Sequence, residues 1–172
     1  MRAAVVTVSD RSFRGERPDV SGPSLARLLE DAGAEVAETV VVPDDPAVIA
    51  AALIRLADEV RCALIVTTGG TGLSPRDTTP EATTRVIEKT VPGMEEAIRQ
   101  ESLKHTPLAM LSRGIVGVRG QSLILNFPGS PKAVRECFAV VAPVLSHAVK
   151  LLRDENPYAE AAHVCRPSHS LS

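Results

Sequence analysis

At 172 residues the chain is long enough for one domain with a sizeable core, and 44% apolar against only 2% aromatic residues makes that core aliphatic. A formal net charge of −2 without any basic run excludes the broad electrostatic footprint of a nucleic-acid binder, and so few aromatic side chains leave no platform for stacking bases. No stretch reaches the roughly 20 consecutive apolar residues of a membrane span, and Met1-Arg2-Ala3-Ala4-Val5 runs straight into a strand-like pattern without the layout of a signal peptide. The expectation is a soluble, cytoplasmic protein with no nucleic-acid or membrane partner.

Taken in chain order, the pattern alternates strands and helices. Ala3 to Ser9 is an apolar run rich in β-branched residues, as a buried strand requires. A polar loop follows from Asp10 to Ser21. Pro23 opens a helix carrying Leu25, Leu28 and Leu29, and Gly33 is its C′ stop. Glu35 to Val42 reads as a second strand. After Pro43-Asp44-Asp45, Asp45 suits an N-cap and Pro46 the first helical position, with helical spacing from Val48 to Val60. Ala63 to Thr68 is a third apolar strand. Thr79 and Pro80 begin a helix to about Lys89, Pro92-Gly93 breaks it, and a further helix covers about Met94 to Lys104.

Ile115 to Val118 and Ser122 to Asn126 flank Arg119-Gly120-Gln121 as the arms of a hairpin. Ser130 caps a helix with Pro131 at its first position, running to about Val140, and Pro143 starts a last helix ending near Leu152 or Arg153. The chain from Asp154 onward is polar and aperiodic. Residues 1–153 are therefore expected to form a single domain and 154–172 a tail. This order implies an α/β fold, with a mostly parallel sheet and helices on both faces. Cys62 and Cys137 read as small buried residues in a reducing compartment.

Open parallel sheets bind ligands outside the carboxyl ends of their strands. That rule selects four loops: Ser9-Asp10-Arg11-Ser12, Pro43-Asp44-Asp45, Thr67 to Asp77, and Asn126 to Pro131. The strongest is Thr67-Thr68-Gly69-Gly70-Thr71-Gly72-Leu73-Ser74-Pro75-Arg76-Asp77. Its glycines can aim several backbone N–H groups at one phosphate. It lacks the lysine of a P-loop, and Pro75 stands where a dinucleotide fingerprint needs glycine. A plain glycine-rich turn is the alternative.

Asp77 is either a helix-start residue or a functional carboxylate. Asp44 is either ordinary turn chemistry or, since Asp45 is the better cap, free to face the strand ends. Two such carboxylates can hold Mg²⁺ with substrate phosphates completing its shell. Gly129 allows close approach at the N-terminus of the helix after Ser130. Arg113 is a candidate phosphate clamp or a solvated surface residue. His163-Val164-Cys165 with His169 lacks a second ligand pair, so no zinc site is expected. No G-x-S-x-G elbow is present.

Ser9-Asp10-Arg11, Thr67-Thr68-Gly69-Gly70-Thr71-Gly72 with Arg76-Asp77-Thr79-Pro80-Glu81, Leu111-Ser112-Arg113, and Asn126-Phe127-Pro128-Gly129-Ser130-Pro131 together resemble the MogA/MoaB family of molybdopterin adenylyltransferases, in order and spacing from about residue 3 to residue 152. The resemblance implies a three-layer αβα sandwich assembled as a trimer, or a hexamer in some branches. It implies transfer of AMP from Mg-ATP to the terminal phosphate of molybdopterin with release of pyrophosphate, and hand-over of the product to a molybdenum-inserting protein. Asp44 and Asp77 would be the acidic residues essential to the reaction and would hold or orient magnesium. Ser9, Asp10, Thr68, Gly69, Gly70, Thr71, Gly72, Ser112, Asn126, Pro128, Gly129 and Ser130 would line the substrate site. Because domains of this fold also occur in molybdenum-insertion proteins, a non-catalytic pterin-binding scaffold is the alternative function.

Overall fold

The computed structural model describes residues 1–155. Almost all of the expected tail, and with it His163, Cys165 and His169, lies outside the described residues. Six strands form one sheet: β1 (Arg2–Val8), β2 (Glu35–Val42), β3 (Leu64–Thr68), β4 (Lys89–Thr90), β5 (Val116–Arg119) and β6 (Ser122–Phe127), in the order β2-β1-β3-β6-β5-β4. The four strands β2, β1, β3 and β6 run parallel. β5 turns back antiparallel to β6, as the hairpin signal predicts, and β4 pairs antiparallel to β5 at the edge.

Alternate residues of the strands feed two cores, which is why the strand runs are apolar throughout rather than alternating. Val5, Val66, Leu125 and Phe127 face one way, onto Leu25 and Leu29 of α2 (Ser21–Asp31), Ile98 of α5 (Pro92–His105) and Val134, Phe138, Val141 and Leu145 of α6 (Pro131–Leu152). Val6, Ile65 and Ile124 face the other way, onto Ile49 and Leu53 of α3 (Pro46–Ile54) and Ala82 and Val86 of α4 (Thr79–Val86). The three-layer αβα sandwich is the observed architecture. None of the helices among the described residues is long and apolar enough to cross a membrane.

Four details depart from the sequence reading. The loop after β1 contains one helical turn, α1 (Asp10–Phe13), because Ser9 Oγ accepts from Ser12 N at 3.2 Å and caps it. The helix α4 stops at Val86 rather than Lys89, since Lys89 and Thr90 are drawn into pairing with Val118 and Gly117. A 3₁₀ turn over Pro107–Leu111 follows α5, with Thr106 as its cap. The two helices expected on either side of Pro143 are one helix of 22 residues. Its buried stripe of Val134, Cys137, Phe138, Val141, Leu145 and Val149 passes the proline without interruption, and packing of that stripe outweighs the hydrogen bond that proline cannot make.

Candidate active site

Because β1, β2, β3 and β6 are parallel, their carboxyl ends and the loops that follow meet on one side of the sheet. Two glycines let the loop after β3 turn there. Gly69 has φ +100° and a Cβ would lie 2.4 Å from Val8 O; Gly70 has φ +65° and a Cβ would lie 2.3 Å from Thr79 Oγ1. Neither a left-handed backbone nor that crowding suits another residue. The turn is anchored on both sides: Gly69 N donates to Phe127 O at 3.0 Å, and Thr79 Oγ1 donates to Gly69 O at 3.0 Å.

Beyond the glycines the chain makes a tight turn around Asp77. The Asp77 carboxylate accepts from Ser74 N at 2.9 Å, and Asp77 N donates to Ser74 O at 2.9 Å. Asp44 and Asp10 exchange backbone bonds: Asp10 N donates to Asp44 Oδ2 at 2.8 Å, and Asp44 N to Asp10 Oδ1 at 3.1 Å. Arg76 reaches Asp10 Oδ2 at 3.3 Å. Burial is the first reason the Asp44 carboxyl is pushed above the ordinary carboxylate range, and the charges of Asp10 and Asp77 add to it, against the hydrogen bond from Asp10 and the Arg76 charge. Asp45, by contrast, accepts from Ala47 N and Val48 N and is the helix cap the sequence suggested.

Three cavities meet at this point. One of about 450 Å³ has apolar walls from Ile98, Leu108, Ala109 and Leu111, and its floor is Gly69, Gly70, Thr71, Gly72, Pro128 and Gly129, with Ser112 at its side. A second, of about 230 Å³, is lined by Ser9, Asp44, Thr68, Gly69, Gly70 and Gly129. A third, also about 230 Å³, brings Asp10, Asp44, Arg11, Arg17 and Arg76 together. Asp77 lines all three. A larger cavity of about 550 Å³ opens among Arg61, Cys62, Arg119 and Ser122. It lies at the amino ends of the parallel strands, away from every predicted site residue, and its Asp58 is engaged by Arg119 at 2.6 Å.

Twelve of the fourteen predicted site residues line these cavities; Asn126 and Ser130 do not. Asn126 is buried, its amide donates to Thr67 Oγ1 at 3.1 Å and Thr83 Oγ1 at 3.0 Å, and its Oδ1 accepts from Ile115 N at 3.3 Å. It ties β6 to β3, to α4 and to the residue just before β5 from within. Ser130 spends its hydroxyl on Ala133 N at 3.1 Å as the cap of α6. Thr68 lines its cavity but donates to Pro128 O at 2.8 Å, holding two of the loops together.

Arg113 directs its guanidinium into the fold, at the ends of the loop after β3. Its Nε donates to Gly72 O at 2.8 Å and its Nη2 to Asp77 O at 2.6 Å, while Nη1 engages the Glu81 carboxylate.

Asp19 is absent from the residues that the sequence singles out. It accepts from Thr7 Oγ1 at 2.6 Å, Gly22 N at 2.9 Å and Ser21 Oγ at 3.2 Å, at the start of α2 beside the glycine turn. Its signal was present, a carboxylate two residues ahead of Ser-Gly-Pro at a helix start. The apolar wall had no such signal, since Leu108 and Leu111 sit in an aperiodic segment.

Residues 4–147 match the model of the family described as "Probable molybdopterin binding domain". The chain is 43% identical over 150 residues to a molybdopterin adenylyltransferase of Helicobacter pylori, covering 86% of this chain and 85% of that protein. It is also 43% identical over 163 residues to the molybdenum cofactor synthesis protein cinnamon of Drosophila melanogaster, covering 92% of this chain but only 27% of that longer protein. The crystal structure of the molybdopterin biosynthesis enzyme MoaB from Thermus thermophilus superposes with a TM-score of 0.84 at 48% identity, over 89% of this chain and 96% of that one.

Proposed function

The chain belongs to the molybdopterin-binding family that includes MogA and MoaB, and from that premise we propose that it adenylylates molybdopterin. AMP would pass from Mg-ATP to the terminal phosphate of the pterin. A phosphate oxygen of molybdopterin attacks the α-phosphorus, the bond from that phosphorus to the bridging oxygen breaks, and pyrophosphate leaves in line. The observation that carries the reading is the position of Asp77, which lines the apolar-walled cavity and both polar ones. The apolar-walled cavity suits a planar pterin, and the arginine-lined one suits the nucleotide's phosphates.

Asp44 and Asp77 fit a magnesium nucleotide in their chemistry. They are hard oxygen donors on one cavity, and among the described residues no group of three or more His, Cys, Asp or Glu side chains could hold an ion unaided. The remaining ligands would be phosphate oxygens and water. When bound, magnesium neutralises charge on the phosphates. The protein's own part is positioning and fixed dipoles: N–H groups of the glycine turn for phosphate oxygens, and arginines for the departing pyrophosphate. No side chain need act as a nucleophile. The trimer, the hand-over to a molybdenum-inserting protein and the cytoplasmic location implied by the resemblance belong to the same proposal.

Mixing the protein with molybdopterin, ATP and Mg²⁺ tests it. Pyrophosphate release that requires the pterin is expected, and Asp77→Asn should abolish it while molybdopterin still binds. Pterin binding by the wild type without any pyrophosphate release would instead make the protein a scaffold, and wild-type turnover by Asp77→Asn would remove Asp77 from the chemistry.

A further inference from the structure

The six residues from Gly72 to Asp77 have little to hold them. Leu73, Ser74, Pro75 and Arg76 are all exposed, the bonds inside the turn join only Ser74, Arg76 and Asp77 to one another, and the contact of Arg76 with Asp10 Oδ2 at 3.3 Å is an exposed ion pair. Yet this is the segment that aims the Asp77 carboxylate. A turn closed only by short-range bonds and one exposed ion pair would exchange conformations readily, and a displacement of about 1 Å at a reacting group can cost 100-fold in rate.

One side chain from another part of the chain spans the gap. The Arg113 guanidinium donates to the carbonyl of Gly72, where the turn begins, and to the carbonyl of Asp77, where it ends, 2.8 and 2.6 Å away. Its third nitrogen is held by Glu81 in the first turn of α4, and its backbone N donates to Thr71 O at 2.9 Å. The planar fork therefore has its directions committed to two carbonyls and a carboxylate. Lysine could not reproduce that, having one small head group and no fixed plane.

We infer that Arg113 is a positioning residue: it closes the Gly72–Asp77 turn as a brace, and through that turn it sets where the Asp77 carboxylate lies. The consequence for catalysis rests on the adenylylation reading; the brace itself does not. Arg113 touches no substrate in this role, so its loss should lower turnover and leave substrate affinity alone. The gap left by removing it would open to solvent, because the side chain is 34% exposed, and free guanidinium could enter it.

Amide hydrogen exchange and steady-state kinetics on the full chain separate the two layers. Arg113→Ala is expected to speed exchange at Ser74 and Asp77 several-fold, with β3 amides unchanged, and guanidinium chloride at low millimolar concentration should slow it again. Exchange at Ser74 and Asp77 equal to wild type would overturn the brace, whatever the activity. With wild-type turnover established, Arg113→Ala should lose about 100-fold in kcat with KM for molybdopterin and ATP nearly unchanged, and guanidinium should restore part of it. A rise in KM at unchanged kcat would make Arg113 a substrate contact and overturn the proposal. If Arg113→Ala does not fold, Arg113→Lys serves: it keeps the charge and the stem, and wild-type kcat in that variant would equally overturn it. Absence of pyrophosphate release from the wild type would count against the adenylylation reading alone, since the exchange result stands without it.

Discussion

Asp44 bears the electrostatic strain of the site. Its carboxyl is pushed up mainly by burial and further by the neighbouring charges of Asp10 and Asp77. A carboxyl whose folded-state pKa lies above its unfolded value, about 3.9, stabilises the fold only while it is protonated. That contribution is complete below the unfolded value and is lost as pH rises through the folded one. At neutral pH the ionised Asp44 is therefore a net liability to the fold. Asp44→Asn keeps an oxygen for the Asp10 N–H and removes the charge. It should raise the melting temperature at pH 7, with the gain shrinking as pH falls into the acid range, and it should abolish AMP transfer. Thermal melts across that range check this; a pH-independent difference, or a less stable variant at pH 7, would contradict the account. The same carboxylate would be relieved by a bound cation, which is the expected trade of stability for function.

At the scale of elements, α6 shows packing overruling a local signal. Pro143 removes one intrahelical bond and would cost about 3 kcal/mol in an ordinary helix interior. Its position is exposed, while Val141 and Leu145 on either side are buried. Pro143→Ala should therefore restore the bond without opening the core. Against that gain, the freer unfolded chain of the alanine variant costs about 0.5–1 kcal/mol. The net expectation is a stabilisation of about 2–2.5 kcal/mol in urea unfolding, with turnover unchanged because no residue of the site moves; destabilisation would mean that the proline is itself required. The short strand β4 teaches the opposite lesson. Two residues that continue a helical pattern leave it because an unpaired sheet edge lies within reach.

At the scale of the molecule, the site is only as firm as the sheet that carries it. Leu125 is wholly buried in the core beneath α6, opposite Val116 and beside Val66, three residues before the loop that begins at Pro128. Leu125→Ala should cost about 2–5 kcal/mol by the cavity it leaves, read from the urea midpoint at unchanged slope. A loss below about 1 kcal/mol would show that the core closes over the gap. Much of this molecule was legible in the chain itself. Hydrophobic period and caps found β1, β2, β3, the hairpin and most helices, since those signals act over a few residues. The strand-end rule found the loops, because in a parallel sheet a loop's place follows from its order. Other assignments needed the folded chain. Asn126 and Arg113 look like site residues by type and neighbourhood. Their roles as internal tie and brace depend on which donors and acceptors lie within hydrogen-bonding distance, most of them across 30 or more residues, which no local pattern encodes. The apolar wall of Leu108 and Leu111 was hidden for the same reason. Sequence alone determined the three-layer fold and the chemical types gathered at its carboxyl edge, because periodicity and capping are local physics. Only the tertiary structure decided which of those side chains face the cavities and which are spent on holding the loops, because that depends on contacts between distant segments.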